Sequence, residues 1–450
     1  MPYFFPKDLN KANPSVSSAM KPKPGDLVEI KTKEEVIKGI LMPQEGKTLV
    51  VKLDSGYNIG IDSNNIKKIK MVKKQEKKKE KPEKTKQKKG LPLIVILHTG
   101  GTIASKVDYD TGAVISRFSP QELLDMFPEL RKIANIDSRL VRNMWSDDMR
   151  FAHYNLMANE IQKEIKKGVD GVIITHGTDT LHYTSAALAF ILEDLPIPVL
   201  LVGAQRSSDR GSSDAAQNFI NAAYFIAKSD FAGVAICMHE NLNDDSALIL
   251  PATKTRKMHT SRRDTFKAIN VKPWARVNYN EKKIQFLKKG YQTRDKKRAL
   301  KLKSIKENLK VGILKVHTNM YASEFLAYKG FDGLILEGTG LGHAPISTID
   351  EFTKEHTKIR NAIKLLCKKT IVAMAPQTIF GRLDMNVYAP GREIQGLGVL
   401  GNYSDMTPET AFIKLAWLLS NHKKPEVKQL ITKNLRGEIS ERTEQDTFLP

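Results

Sequence analysis

The sequence predicts an α/β protein in which a small SH3-like β-barrel precedes two doubly wound α/β domains. After Gly90, short apolar, β-branched runs alternate with helix-forming runs for more than 200 residues. Near-continuous apolar strands joined by helical crossovers belong to a mostly parallel sheet covered on both faces. Ahead of that region, GDLVEIKT, VIKGILMP, TLVVKLDSG and YNIGIDS are short β runs separated by Gly, Pro, Asn and Asp at hairpin spacing. With 450 residues and 41% hydrophobic content, the chain can bury a large core and fill two or three domains.

In order along the chain, residues 1–23 read as a disordered or extended arm and residues 24–70 as the barrel. Residues 71–90 read as a Lys-rich extended linker, 91–285 as the first α/β domain, 286–424 as the second, and 425–450 as a tail with mixed charges. The strands expected after the linker are LIVIL (93–97), GVIIT (171–175), IPVLLVG (197–203), GVAICM (233–238), VGILKVHT (311–318), DGLILEG (332–338) and TIVAMAPQT (370–378). Helices are expected at SPQELLDMF, after Thr180 and at AAQNFINAAYFIA. The basic segment from Lys282 to Lys310 reads as the join between the two α/β units, its charge facing solvent.

Charge and cysteine usage narrow the class. The 72 basic residues against 50 acidic ones give +22, which suits a polyanionic or acidic partner. Ten lysines and three glutamates between Lys73 and Lys89 account for +7 of it, so much of the excess sits in one low-complexity run. Cys237 and Cys367 each sit among apolar residues and read as small hydrophobes, consistent with a reducing cytoplasm. The start MPYFFPKDLN lacks the features of a secretory signal, and no apolar run approaches the ~18 residues of a membrane span. GTGLGHAP resembles a phosphate loop loosely, but no G-x-G-x-x-G or Walker spacing occurs, so no nucleotide is expected on this chain.

The chemistry is organised around KGVDGVIITHGTDTLHYTSAALAFIL, residues 167–192. A strand, Val172 to Thr175, runs into a polar turn with Gly177, Thr178 and Asp179, and a helical run follows from Leu181. Ligands bind in open α/β sheets at such strand ends, where helix N–H groups favour an anion. Alternatively, Thr178 is only a helix cap and Asp179 a favourable first-turn charge. A second turn of the same kind, Thr99-Gly100-Gly101-Thr102 after the strand Ile94 to Leu97, favours a functional role, because Gly-Gly lets backbone approach a ligand closely. Hydroxyls at two strand ends suggest a nucleophile in need of a base. His98 and His176 precede the turns on strand positions that point away from them, whereas a desolvated lysine could serve.

ILHTGGTIA and ITHGTDT resemble the two signature motifs of the L-asparaginase/glutaminase amidohydrolases, a likeness that covers residues 91–420. It implies asparaginase-type α/β domains, a threonine nucleophile at Thr102, and a triad of Thr178, Asp179 and a lysine. TKTRKMHTSRRDTF resembles the family's lysine segment, whose catalytic lysine stands nine residues before a phenylalanine; Phe266 selects Lys257, with Lys254 next if the register slips. WSDDM matches the substrate-carboxylate segment, which implies that Ser146 holds the α-carboxylate and Asp179 the α-amino group, with Gly101, Gly177 and Asp147 also lining the substrate site. Asp147 replaces the glutamine common in bacterial members. Tyr109 is the candidate for the family's flap tyrosine, and no metal is implied.

GDLVEI, GILMP and KLDSGYNIGI further resemble the amino-terminal extension of that family's D-subunit branch, which serves archaeal glutamyl-tRNA(Gln) amidotransferases. The resemblance implies an E subunit as partner, carrying ATP and Mg²⁺ and acting on tRNA(Gln), and a homodimeric core within a heterotetramer. A stand-alone cytoplasmic L-asparaginase and a tRNA-binding scaffold on an inactive amidase fold are the alternatives.

Overall fold

The computed structural model describes residues 22–42, 47–55, 58–74, 87–101, 105–107, 114–116, 119–206 and 212–448. The expected arm before residue 22, most of the lysine run, Thr102 and Tyr109 lie outside the described residues.

The amino-terminal unit contains five antiparallel strands, β1 (Leu27–Thr32), β2 (Val36–Leu41), β3 (Thr48–Lys52), β4 (Asn58–Asp62) and β5 (Ile66–Lys73), in the order β4-β3-β2-β1-β5. Alternation along the strands sends Val28, Ile30, Leu41, Leu49, Val51 and Ile61 into one small core, which makes the unit barrel-like. Gly39 is required where β2 crosses β3, because a Cβ there would stand 2.4 Å from the Lys52 carbonyl oxygen. The last strand continues three residues beyond the expected boundary at 70, because its lysines fill outward positions while Ile66 and Ile69 pack against the core.

The larger unit is built on a nine-stranded mixed sheet. Its parallel strands are β6 (Leu93–His98), β9 (Asn135–Leu140) at one edge, β10 (Gly171–Thr175), β12 (Pro198–Val202) and β13 (Phe231–His239); β7 (Ser105–Val107) and β8 (Val114–Ser116) pair with each other. Helices α1 (Pro120–Met126), α2 (Leu130–Ile133), α3 (Phe151–Lys166), α4 (Leu181–Ile191) and α5 (Ala215–Lys228) provide the crossovers. Both sheet faces are covered, as the apolar runs predict: Val172 and Ile174 pack with Val95, Leu97 and Leu201, whereas Ile173 packs with Ile94, Ile96 and Leu200.

The expectation of a mostly parallel sheet needs correction. Beyond β13, the strands β14 (Ala247–Pro251), β17 (Ala275–Asn278) and β18 (Lys283–Phe286) add on antiparallel, so four parallel strand pairs are followed by three antiparallel ones. Seven residues separate β13 from β14, too few for the crossover that a parallel pair demands. The short strands β11 (Leu192–Glu193), β15 (Thr255–Lys257), β16 (Phe266–Ala268), β19 (Gln292–Thr293) and β20 (Lys301–Leu302) complete this region, with β15 and β16 forming an antiparallel pair.

The charge of the basic segment 282–310 mostly faces solvent, as expected. The segment begins as the edge strand β18, across the expected domain boundary at 285, and several of its cations are also tied to the body. Arg294 is half-buried and donates to the Asp170 carbonyl oxygen, while Lys296, Lys301 and Lys303 pair with Asp170, Asp194 and Glu193. Those carboxylates lie at the amino ends of the central strands or in the loops beside them, so the segment is fastened beneath the sheet.

The carboxy-terminal domain has a parallel sheet, β21 (Val311–Lys315), β22 (Gly333–Gly338) and β23 (Ile371–Pro376), with α6 (Ala322–Leu326), α7 (Glu355–Cys367) and α8 (Ala389–Gly396) around its own core. Then α9 (Pro408–Asn421) packs on β21 and β22 with one side and along α4 with the other, where Trp417 meets Phe190 at a tilt, ring centroids 5.4 Å apart. The expected tail is part of the body: α10 (Lys424–Leu430) crosses its boundary, and Glu438 is fully buried in an ion pair with Lys414 at 2.7 Å. A second fully buried pair, Lys254 with Asp405 at 2.6 Å, ties the first α/β domain to the second. Burial lowers Lys254 to about 8, against the opposing pull of Asp405. Lys254→Met strands the buried Asp405 charge and is expected to cost about 3–5 kcal/mol in urea unfolding, whereas Lys301→Met in an exposed pair should leave the midpoint unchanged.

Candidate active site

Two strand-end turns form the floor of the site. β6 and β10 are parallel neighbours in register, His98 beside Thr175, so the chain leaves both at the same level. Thr99 donates from its hydroxyl to the Thr175 carbonyl oxygen at 2.8 Å, fastening one turn to the other strand. Gly101 has φ +85°, and a Cβ on it would lie 2.6 Å from the Gly177 nitrogen. Only glycine therefore allows the two turns to touch.

The WSDDM segment closes over the second turn. A Cβ on Gly177 would meet the Ser146 hydroxyl at 2.9 Å, and the Thr180 hydroxyl donates to the Ser146 carbonyl oxygen at 2.7 Å. Ser146 is buried against this turn while Asp147 is exposed, so the adjacent substrate-segment residues face different surroundings. Thr180, which the motif reading passed over, is the N-cap position of α4, and its side chain does not cap the helix. Thr178 lies two residues before that position, so the cap reading of Thr178 fails; its hydroxyl serves another group.

That group is Lys257, whose ammonium nitrogen lies 3.0 Å from the Thr178 hydroxyl oxygen and 2.7 Å from Asp179 Oδ1. The lysine side chain is largely buried and the aspartate mostly exposed. β15 delivers it, pairing Lys257 directly opposite Phe266 on β16. The nine-residue spacing in the sequence is thus a hairpin register. Lys254, the alternative, turns the other way into its pair with Asp405. The structure thereby gathers Gly101, Ser146, Gly177, Thr178, Asp179 and Lys257 about one crevice, while Asp147 sits exposed beside it. A cleft of about 440 Å³ opens beside Asp179 and Lys257, walled by His182, Tyr183, Arg256 and Glu409. A roomier hollow of about 510 Å³, lined by Trp274, Tyr291 and Arg436, contains none of these groups.

Neither nearby imidazole is placed to be the base. His176 Nδ1 lies 2.6 Å from the Gly177 carbonyl oxygen, which can only accept, so Nδ1 carries the proton. Nε2 then accepts from the Thr184 hydroxyl at 2.8 Å, and the ring is fully used in holding the turn to α4. Burial lowers both His176 and His182 to about 4, so both are neutral at physiological pH. Among the described residues no cluster of three or more His, Cys, Asp or Glu could hold a metal ion. A hydroxyl, an amine and a carboxylate in mutual contact, over turns that present backbone N–H groups, can move a proton and stabilise an oxyanion.

The histidines make stability depend on pH. An unfolded imidazole titrates near 6.5, so between about 6.5 and about 4 the unfolded chain binds protons that the folded chain does not. Their contribution is fully present above that window and is lost as pH falls through it. Urea titrations across this range are expected to show the unfolding free energy dropping with pH, and His176→Asn to remove one proton from the slope.

Comparison with known proteins identifies the domains that carry this site. Residues 93–291 match the family described as Asparaginase, N-terminal, residues 310–431 the Glutaminase/Asparaginase C-terminal domain, and residues 22–72 the GatD N-terminal domain. The D subunit of the glutamyl-tRNA(Gln) amidotransferase of Pyrococcus furiosus is 43% identical, covering 94% of this chain and 95% of that protein. The protein of the same name in Archaeoglobus fulgidus is 41% identical over 93% of this chain and 96% of its own length. Among solved structures, the thermostable L-asparaginase from Thermococcus kodakarensis superimposes with a TM-score of 0.68 at 26% identity, covering 78% of this chain and all of that one. The chain belongs to the family of glutamyl-tRNA(Gln) amidotransferase D subunits, whose body is an asparaginase-type pair of α/β domains.

Proposed function

We propose that this chain is the amidase subunit of a glutamyl-tRNA(Gln) amidotransferase, hydrolysing glutamine or asparagine to release ammonia. In this reading an E subunit, using ATP and Mg²⁺, activates the glutamyl group on tRNA(Gln) and receives the ammonia to form Gln-tRNA(Gln). The assembly is cytoplasmic, with a homodimer of this chain at the core of a heterotetramer. No described helix is long and apolar enough to cross a membrane. The observation that carries the proposal is the contact of Lys257 with both Thr178 and Asp179, on a chain that also has the D-subunit amino-terminal domain.

The chemistry follows from the groups. The hydroxyl of Thr102 attacks the side-chain amide carbon, forming a C–O bond, and backbone N–H groups at the turns stabilise the oxyanion. Its proton passes through Thr178 and Lys257 to the amide nitrogen, the C–N bond breaks, and ammonia leaves. Water then attacks the acyl ester, releasing glutamate and restoring the hydroxyl. Ser146 holds the substrate α-carboxylate and Asp179 the α-amino group, with Gly101 and Gly177 keeping the floor open; Asp147 stands at the rim, and Tyr109 is the flap tyrosine that the family resemblance implies.

Two experiments test the reading. Thr178→Val and Lys257→Met are each expected to reduce glutamine-dependent formation of Gln-tRNA(Gln) by at least about 100-fold, while amidation supplied with free ammonia persists. Loss of both activities would point to folding or docking instead. Removing residues 1–90 is expected to abolish the effect of the E subunit and Glu-tRNA(Gln) on ammonia release. A truncated chain that hydrolyses asparagine at the full-length rate, with the partner changing nothing, would make it a stand-alone L-asparaginase.

A further inference from the structure

Lys257 belongs to the first α/β domain, yet the segment leading to it is gripped by the second. Thr410 donates from its hydroxyl to the Thr253 carbonyl oxygen at 3.0 Å, Lys254 pairs with Asp405 at 2.6 Å, and Arg256 pairs with Glu409 at 3.1 Å. Three side chains within Asp405–Thr410, at the start of α9, therefore hold three of the four residues immediately before Lys257. The grip is directional, because β15 is only three residues long and pairs with the equally short β16. So small a hairpin does not fix its own orientation relative to Thr178, which lies on the turn after β10.

Glu409 is the member of this grip that faces the site. It lines the same cleft as Asp179 and Lys257, and it is 7% exposed. Arg256 and Lys257 are adjacent cations on one strand, and Asp179, the carboxylate touching Lys257, is mostly exposed to water. Glu409 supplies the second, buried counter-charge. Its carboxylate lies 3.1 Å from Arg256 and 4.0 Å from His182, which burial keeps neutral.

We infer that Glu409 is a positioning residue for the reaction proposed above: by pinning Arg256 from α9, it sets the reach of β15 so that the Lys257 ammonium nitrogen meets the Thr178 hydroxyl. This makes the second domain a structural part of the proton relay, and it predicts a role for a residue outside both signature motifs.

The test uses the full-length chain with its E subunit and Glu-tRNA(Gln), as parent, Glu409→Gln and Glu409→Ala. Glutamine-dependent ammonia release is followed together with thermal unfolding. Lys257 acetylation by acetic anhydride near neutral pH is read by peptide mass spectrometry, with exposed Lys68 as internal reference. Glu409→Ala is expected to stay folded and lose about 10- to 100-fold in kcat with KM within about 2-fold, the pattern of a misplaced catalytic group. Glu409→Gln, which can still accept from Arg256, is expected to recover part of that loss. The Lys257-to-Lys68 labelling ratio should change several-fold in the alanine variant. A folded alanine variant with parental kcat and an unchanged ratio overturns the inference. Should the alanine variant not fold, the glutamine variant's labelling ratio decides by the same criterion. If the parent itself releases no ammonia from glutamine, the amidase reading fails separately, and the labelling ratio still decides whether Glu409 positions Lys257.

Discussion

The contact of two backbone turns at Gly101 and Gly177 is the constraint on which the site depends. β6 and β10 end at the same level because they are adjacent, parallel and in register, and their turns then compete for the same space. A Cβ on Gly101 would stand 2.6 Å from the Gly177 nitrogen, and one on Gly177 would run into Ser146. Removing both side chains lets three segments, remote in sequence, share one crevice. Their hydroxyls and N–H groups can then converge on a molecule the size of an amino acid.

Parallel strands place that crevice, and antiparallel ones furnish it. Beyond β13 the chain returns by short links through β14, and it is the β15–β16 hairpin after this strand that carries Lys257 to the turn. The mixed sheet is thus the means by which a lysine 79 residues downstream reaches the threonine hydroxyl.

Buried ion pairs do the joining. Lys254–Asp405 and Lys414–Glu438 are both fully buried, and each would cost more to break than it contributes by forming. Such pairs are weak sources of net stability but strong determinants of which groups must meet. Here one fixes the first α/β domain to the second, and the other locks the carboxy-terminal segment onto α9. Both form where the chain has no other way to neutralise the charge.

Much of this was legible in the residues. Local signals fixed the strands around Thr175, the helix from Leu181 and the glycine turns, because apolar period and glycine tolerance act over a few neighbours. The spacing of Lys257 to Phe266 was readable because a hairpin register is itself local. The antiparallel half of the sheet, the burial of the segment after Pro425 and the pairing of the basic join were not, since each depends on a partner 100 residues or more away or on which sheet edge is free. The same holds within the site. Sequence by itself determined which residues carry hydroxyl, amine and carboxylate near strand ends; tertiary structure decided that Thr178 serves Lys257 and not its own helix, and that Lys254 points away. Distance in three dimensions, which no local pattern encodes, separates a helix cap from a hydroxyl held against an amine.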